Sequence, residues 1–144
     1  MFMGQYIHNL DAKGRVIMPA LFREELGTSF VVTKGYEHCL SAYSMAEWES
    51  FSKRLMQLPE HNADARRLLR MFASGATVCE TDKQGRILLP AHLREHAGIE
   101  KEVVFSGALG RVEIWAGEVW EKYNSDEDAL TMEEAGARLS GMMA

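Results

Sequence analysis

The sequence predicts an α+β fold, mainly β, made of two tandem ββαββ units with connecting helices. Three observations carry this: an internal repeat, β-forming segments that run into Asp-x-x-Gly-Arg turns, and a short stretch from proline to glycine after each turn. Residues Asp11 to Gly27 and Asp82 to Gly98 align at a constant offset of 71, with eight of 17 positions identical. The likeness extends backward, Gly4 falling on Gly75. With a one-residue insertion it also extends forward, Val31-Val32 matching Val103-Val104, Tyr43 matching Trp115 and Trp48 matching Trp120.

Each element has a local cause. Gln5 to Leu10 and Ala76 to Thr81 contain strand formers such as Tyr6, Ile7, Thr77 and Val78, and each runs into a polar turn whose Gly can take positive φ. The second strand, Arg15-Val-Ile-Met or Arg86-Ile-Leu-Leu, stops at Pro19 or Pro90, which cannot donate to a ladder but suits a helix start. Leu21, Phe22 and Leu26 line one side of the short helix, and Gly27 and Gly98 are C-terminal stops. Hairpins follow around Gly35 and around Gly107 and Gly110. Between the copies, Ser44-Met-Ala-Glu47 is a capping box. It opens a helix with Trp48, Phe51, Leu55 and Leu58 on one stripe, ending at Pro59. A second helix runs from the N-cap Asn62 to Gly75, with Leu68, Leu69 and Phe72 inward and Arg66, Arg67 and Arg70 outward. The counterpart of the Trp48 helix begins near Gly117, and the residues beyond Asn124 support a short terminal helix. The expected organisation is a first unit at 5–47, connecting helices at 48–75, a second unit at 76–119, and a C-terminal helix with acidic tail at 120–144.

The 144 residues carry 16 Lys and Arg against 21 Asp and Glu, a net charge of −5. Glu118 to Arg138 holds seven acids and two bases, so this segment carries the whole deficit. The stretches Asp11 to Arg23 and Asp82 to Arg94 are each locally +2. No apolar run approaches the roughly 20 residues of a membrane-spanning helix. The N-terminus lacks a signal core, and two cysteines make no disulfide framework, so a cytoplasmic protein is expected.

The repeated Asp-x-x-x-Arg is the central chemical signal. Lys13 and Arg15 at one hairpin turn, and Lys83 and Arg86 at the other, sit on β ribbons of a width that fits the DNA major groove. Arginine reads guanine edges and binds phosphate, which makes these four the candidate DNA-binding residues. Asp11 and Asp82, with Gly14 and Gly85, are expected to orient the turn and the guanidinium rather than touch DNA, because a carboxylate repels phosphate. A turn salt bridge with no further role is the alternative for the same pair. No phosphate-cradling loop, nucleophile elbow or paired-cysteine motif is present, so no catalytic residue and no cofactor are expected. His92 and His96 have the i, i+4 spacing of a metal pair with Cys79 as a conceivable third ligand. The first copy has Leu21 and Glu25 there, and no metal site is expected. Trp48, Trp115 and Trp120, with Phe51 and Tyr123, read as core or subunit contact rather than base-stacking platforms.

The opening Met-Phe-x-Gly, the pair Asp11-x-Lys-Gly-Arg15 and Asp82-Lys-Gln-Gly-Arg86, the Pro-x-x-x-Arg after each, and Gly110-Arg-Val-Glu-Ile-Trp115 together resemble the MraZ family. The resemblance runs from Met1 through the Trp120 helix and leaves out the tail after Asn124. It implies two fused SpoVT-AbrB-like swapped-hairpin units whose exchanged hairpins form a small closed barrel. It also implies a repressor of the bacterial division and cell-wall gene cluster that binds tandem promoter repeats in double-stranded DNA. A ring-like homo-oligomer, nucleoid-associated in the cytoplasm, follows from the same likeness, with no membrane and no small-molecule substrate. By motif it assigns DNA contact to Lys13 and Arg15, with Lys83 and Arg86 as their copies. The alternative from a different class is a non-enzymatic assembly or antitoxin-like module whose basic turns bind a protein partner.

Overall fold

The computed structural model describes residues 1–143. The first unit runs β1 (Gln5–Asn9), β2 (Arg15–Ile17), α1 (Ala20–Leu26), β3 (Ser29–Lys34) and β4 (Leu40–Ser44). Two helices follow, α2 (Met45–Met56) and α3 (Ala63–Gly75). The second unit repeats the order as β5 (Thr77–Glu80), β6 (Arg86–Leu88), α4 (Ala91–Ala97), β7 (Glu102–Gly107) and β8 (Val112–Ala116). It continues into α5 (Gly117–Ser125), α6 (Met132–Arg138) and α7 (Ser140–Met143).

The boundaries follow the local chemistry. Pro19 and Pro90 stand immediately before α1 and α4 at φ of −51° and −59°, and Gly27 and Gly98 end them at φ of +85° and +66°. Ser44 Oγ accepts the Glu47 amide at 3.2 Å, one half of a capping box. Asn62 Oδ1 accepts the amides of Asp64 and Ala65 at 2.9 and 3.1 Å. Helix α2 ends at Met56, short of Pro59, and Leu58 lies in the turn that follows.

The strands interleave across the two halves. One six-stranded antiparallel sheet has the order β1-β7-β8-β4-β3-β5, and β2 pairs with β6 in a separate two-stranded ribbon. Thus β1 of the first unit lies on β7 of the second, Tyr6 opposite Phe105, and β5 of the second lies on β3 of the first, Cys79 opposite Phe30. The two other pairings between the halves join equivalent strands, β4 to β8 centred on Ser41 and Glu113, and β2 to β6 centred on Val16 and Ile87. A pseudo-two-fold axis therefore passes through both centres. The ladders do not close into the expected barrel: β1 and β5 remain the outer strands of the large sheet.

Register also corrects the forward alignment of the repeat. Phe30 and Val31 face Ser44 and Tyr43, as Val103 and Val104 face Ala116 and Trp115. Phe30-Val31, not Val31-Val32, is thus the structural match of Val103-Val104. The loop before β7 carries two extra residues, and the β7 to β8 connection gives one back. The run of apolar residues at 30–32 and 103–105 lets the two sequences slide against each other by one.

The main core lies between the inner face of the large sheet and the ribbon. Phe30, Val32, Leu40, Val103, Phe105 and Ile114 from the sheet meet Val16, Met18, Ile87 and Leu89 from the ribbon strands and the residues after them, and Phe22 and Leu93 from α1 and α4. The outer face of the sheet carries the aromatics. Tyr43 stacks on Phe51 at 5.2 Å between ring centroids, and Phe51 meets Phe72 of α3 edge-on at 5.0 Å. On the other half Trp115 packs against Trp120 at 5.2 Å and Tyr123 at 5.3 Å. These rings seat α2 and α5 on the sheet, the packing role expected of them.

Candidate nucleic-acid interface

Each Asp-x-x-x-Arg closes as one unit. Asp11 Oδ1 accepts the backbone amides of Lys13 and Arg15 at 2.9 and 2.8 Å, and its Oδ2 accepts Arg15 Nε at 2.9 Å. Asp82 repeats this with the amides of Gln84 and Arg86, both at 2.9 Å, and Arg86 Nε at 2.8 Å. The Arg15 amide is the first cause holding the Asp11 carboxyl below its ordinary value, and the guanidinium adds to it; Arg86 does the same for Asp82. Both oxygens of each aspartate thus bond within the turn, and each arginine bonds its aspartate through Nε.

Gly14 and Gly85 sit at φ of +81° and +79°, where a side chain is strained. Both are buried, because an arginine of the other half lies over each turn. A Cβ on Gly14 would lie 3.2 Å from the Arg94 guanidinium carbon, and one on Gly85 would overlap Arg23 Nη1. Arg94 is held there by donating from Nε to the Leu89 carbonyl at 2.9 Å. The turns are tied to the opposite strands by Leu89 N to Gly14 O and Met18 N to Gly85 O, both 2.9 Å.

The ribbon thus has two cationic ends. Lys13, Arg15 and Arg94 gather around Asp11, and Lys83, Arg86 and Arg23 around Asp82, each with net charge +2. Sequence reasoning placed Lys13, Arg15, Lys83 and Arg86 here and missed Arg23 and Arg94. The signal was the repeated Pro-x-x-x-Arg, which gave a helix position but not the partner across the pseudo-dyad. Two details differ from the expected symmetry. Arg15 and Arg86 are first residues of strands rather than turn tips, with side chains 31% and 28% exposed. Gln84, not Lys83, stands at the position of Lys13, while Lys83 matches Ala12.

The remaining candidates separate. His92 Nε2 lies 3.4 Å from the Gly75 carbonyl and His96 Nε2 3.3 Å from the Gly35 carbonyl, so the pair faces two different backbone groups. Burial is the first cause lowering the His96 pKa. Cys79 is buried with its Sγ 3.9 Å from the Leu88 carbonyl, and burial pushes its thiol up to about 11 and that of Cys39 to about 12. Arg66, Arg67 and Arg70 are exposed on α3. Among the described residues no helix is long and apolar enough to cross a membrane.

Strands exchanged between two repeated halves, with an Asp-anchored basic turn in each, define a two-unit protein whose halves share one sheet and one ribbon. The profile described as "MraZ protein, putative antitoxin-like" matches residues 1–71 and again 72–141, dividing the chain at the repeat. "Transcriptional regulator MraZ" of Thermoanaerobacter sp. (strain X514) is 55% identical over 142 residues, covering 99% of both chains. The protein of that name from Heliobacterium modesticaldum is 55% identical over 139 residues, 96% of each, and that from Alkaliphilus metalliredigens 50% over 142, covering 94% of this chain and 99% of its own. The chain belongs to the MraZ family. The match also runs through the tail, which the sequence reading had left outside the resemblance.

Proposed function

We propose that this chain is a sequence-specific, double-stranded-DNA-binding transcriptional regulator that represses the bacterial division and cell-wall gene cluster by binding tandem promoter repeats. One observation carries the reading: two Asp-anchored arginines, Arg15 and Arg86, on the outer face of a two-fold ribbon with a cationic cluster at each end. The ribbon is of a width that enters the major groove, and the fixed Nε leaves each guanidinium fork free for guanine or phosphate. The names of the relatives support the regulatory role.

Units 5–47 and 76–119 then supply one half of the ribbon each, with 48–75 joining them. The exposed Ile7 and Val78 on the outer strands support association into a homo-oligomer, ring-like where the contact is head to tail, that presents several ribbons to consecutive repeats. A nucleoid-associated cytoplasmic protein follows from that role. The family description favours a second reading, an antitoxin-like module whose basic turns grip a protein. A gel shift separates them. DNA from upstream of the chain's own operon should be retained over a scrambled duplex at moderate salt, and equal retention of both favours the protein partner.

A further inference from the structure

The outer face of the ribbon holds two side chains that the basic clusters do not use. Ile17 and Leu88 are 41% and 56% exposed, although Val16 and Ile87 between them and the arginines are buried at 1% each. The register sets Arg15 opposite Leu88 and Ile17 opposite Arg86. Side chains of alternate residues share a face, so each guanidinium has an aliphatic neighbour directly across the ladder, with Cβ atoms about 4.5–5.5 Å apart. A face built only to hold phosphate gains nothing from bare aliphatics at its centre.

We propose that Ile17 and Leu88 are specificity-determining residues that read thymine methyl groups in the major groove. The inference rests on the DNA-binding reading above. The C5-methyl of thymine is the apolar feature among the hydrogen-bonding edges displayed in that groove, and apolar side chains recognise it by contact. The surrounding charge selects the occupant: Lys13, Arg15, Lys83 and Arg86 flank the two aliphatics and favour a polyanion over an apolar protein surface. The two readers are related by the pseudo-dyad but not identical. Ile17 is branched at Cβ and Leu88 one carbon further out, so the two ends of the ribbon approach a base edge differently.

The test compares the promoter duplex from upstream of the chain's own operon made with thymine against the same duplex made with uracil, which lacks only the methyl groups. Wild-type protein should bind the uracil duplex about fourfold more weakly for each buried methyl lost. The Ile17→Ser/Leu88→Ser variant should bind both duplexes equally, at the level of wild type on uracil. Its melting curve and its mass by light scattering should match wild type, because both side chains are exposed; an altered mass would place them in assembly and overturn the proposal. Equal wild-type affinity for the two duplexes, or a variant that keeps the discrimination, overturns it while leaving the regulator reading intact. A wild-type protein without preference for promoter over scrambled DNA overturns both.

Discussion

In the first half of the chain α1 sets Phe22 edge-on against Phe2 and Tyr6, with ring centroids 5.7 and 5.3 Å away. In the second half the same helix position is Leu93, equally buried, and Ala73 and Thr77 stand at the repeat positions of Phe2 and Tyr6. At the turns Lys13 of the first copy corresponds to Gln84 of the second. Arg94 donates to Leu89, whereas Nε of its counterpart Arg23 is buried with no hydrogen-bond partner among the described residues. Against these differences stand the Asp, Gly and Arg of each turn, whose bonds agree to within about 0.1 Å. Repetition has been kept where it fixes the backbone of the ribbon, and lost where side chains only fill space or meet solvent. Two similar ends with different surroundings give the ribbon a direction.

The largest effect that sharpens this comparison is in the core. Phe22→Ala should cost about 3–5 kcal/mol by urea unfolding and Leu93→Ala less, within about 2–5 kcal/mol. Equal costs would mean the aromatic cluster adds nothing to the first half. Next come the readers. Arg15→Ala and Arg86→Ala should each weaken promoter binding by about 5- to 150-fold, from the roughly 1–3 kcal/mol of one bidentate contact, with unchanged circular dichroism. An Arg86→Ala variant with normal binding would break the two-fold reading and leave one working end.

Much of this was legible because it is local. Ser44, Asn62, Pro19, Pro90, Gly27 and Gly98 act within one turn of where they stand, so strand and helix ends could be read directly. Asp11 and Arg15 are four residues apart, and their pairing followed from the turn. The placement of Arg23 over Gly85 and of Arg94 over Gly14 joins residues more than sixty apart, and no spacing encodes it. The slide of Phe30-Val31-Val32 on Val103-Val104-Phe105 was hidden for a different reason. Uninterrupted apolar runs carry no phase, and only the facing strand sets one.

A smaller effect comes from the turn carboxylates. Asp11 and Asp82 have depressed folded-state pKa values, so their stabilisation is present above the unfolded value, about 4, and is lost as pH falls through the lower folded value. The thermal midpoint of wild type should therefore drop more steeply on acidification below about pH 4 than that of an Asp11→Asn/Asp82→Asn variant. Identical slopes would show that the turns do not report on these protons. The smallest effect is expected from the segment after α5. Residues after Asn124 carry Asp126, Glu127, Asp128, Glu133 and Glu134 against Arg138 and are exposed almost throughout. Removing them should leave the melting transition in place and tighten binding to scrambled DNA more than to promoter DNA, as Kd at two salt concentrations would show. Equal affinities in both forms would end any role for the tail in selectivity.

The pairing of β1 with β7 also governs how the molecule comes into being. Gln5 leaves the ribosome early, yet its partner Ser106 is made roughly 5 to 20 s later at about 5–20 residues per second. For that interval β1 has no sheet to join, and Ile7 and Tyr6 stay open to stray strands. Such distant pairing closes long loops before any contact repays them, which slows folding. Synthesis pace and chaperone supply are thus part of what sets the yield of this protein, and a translational stall before β7 should send more of it into aggregates than a stall after β8.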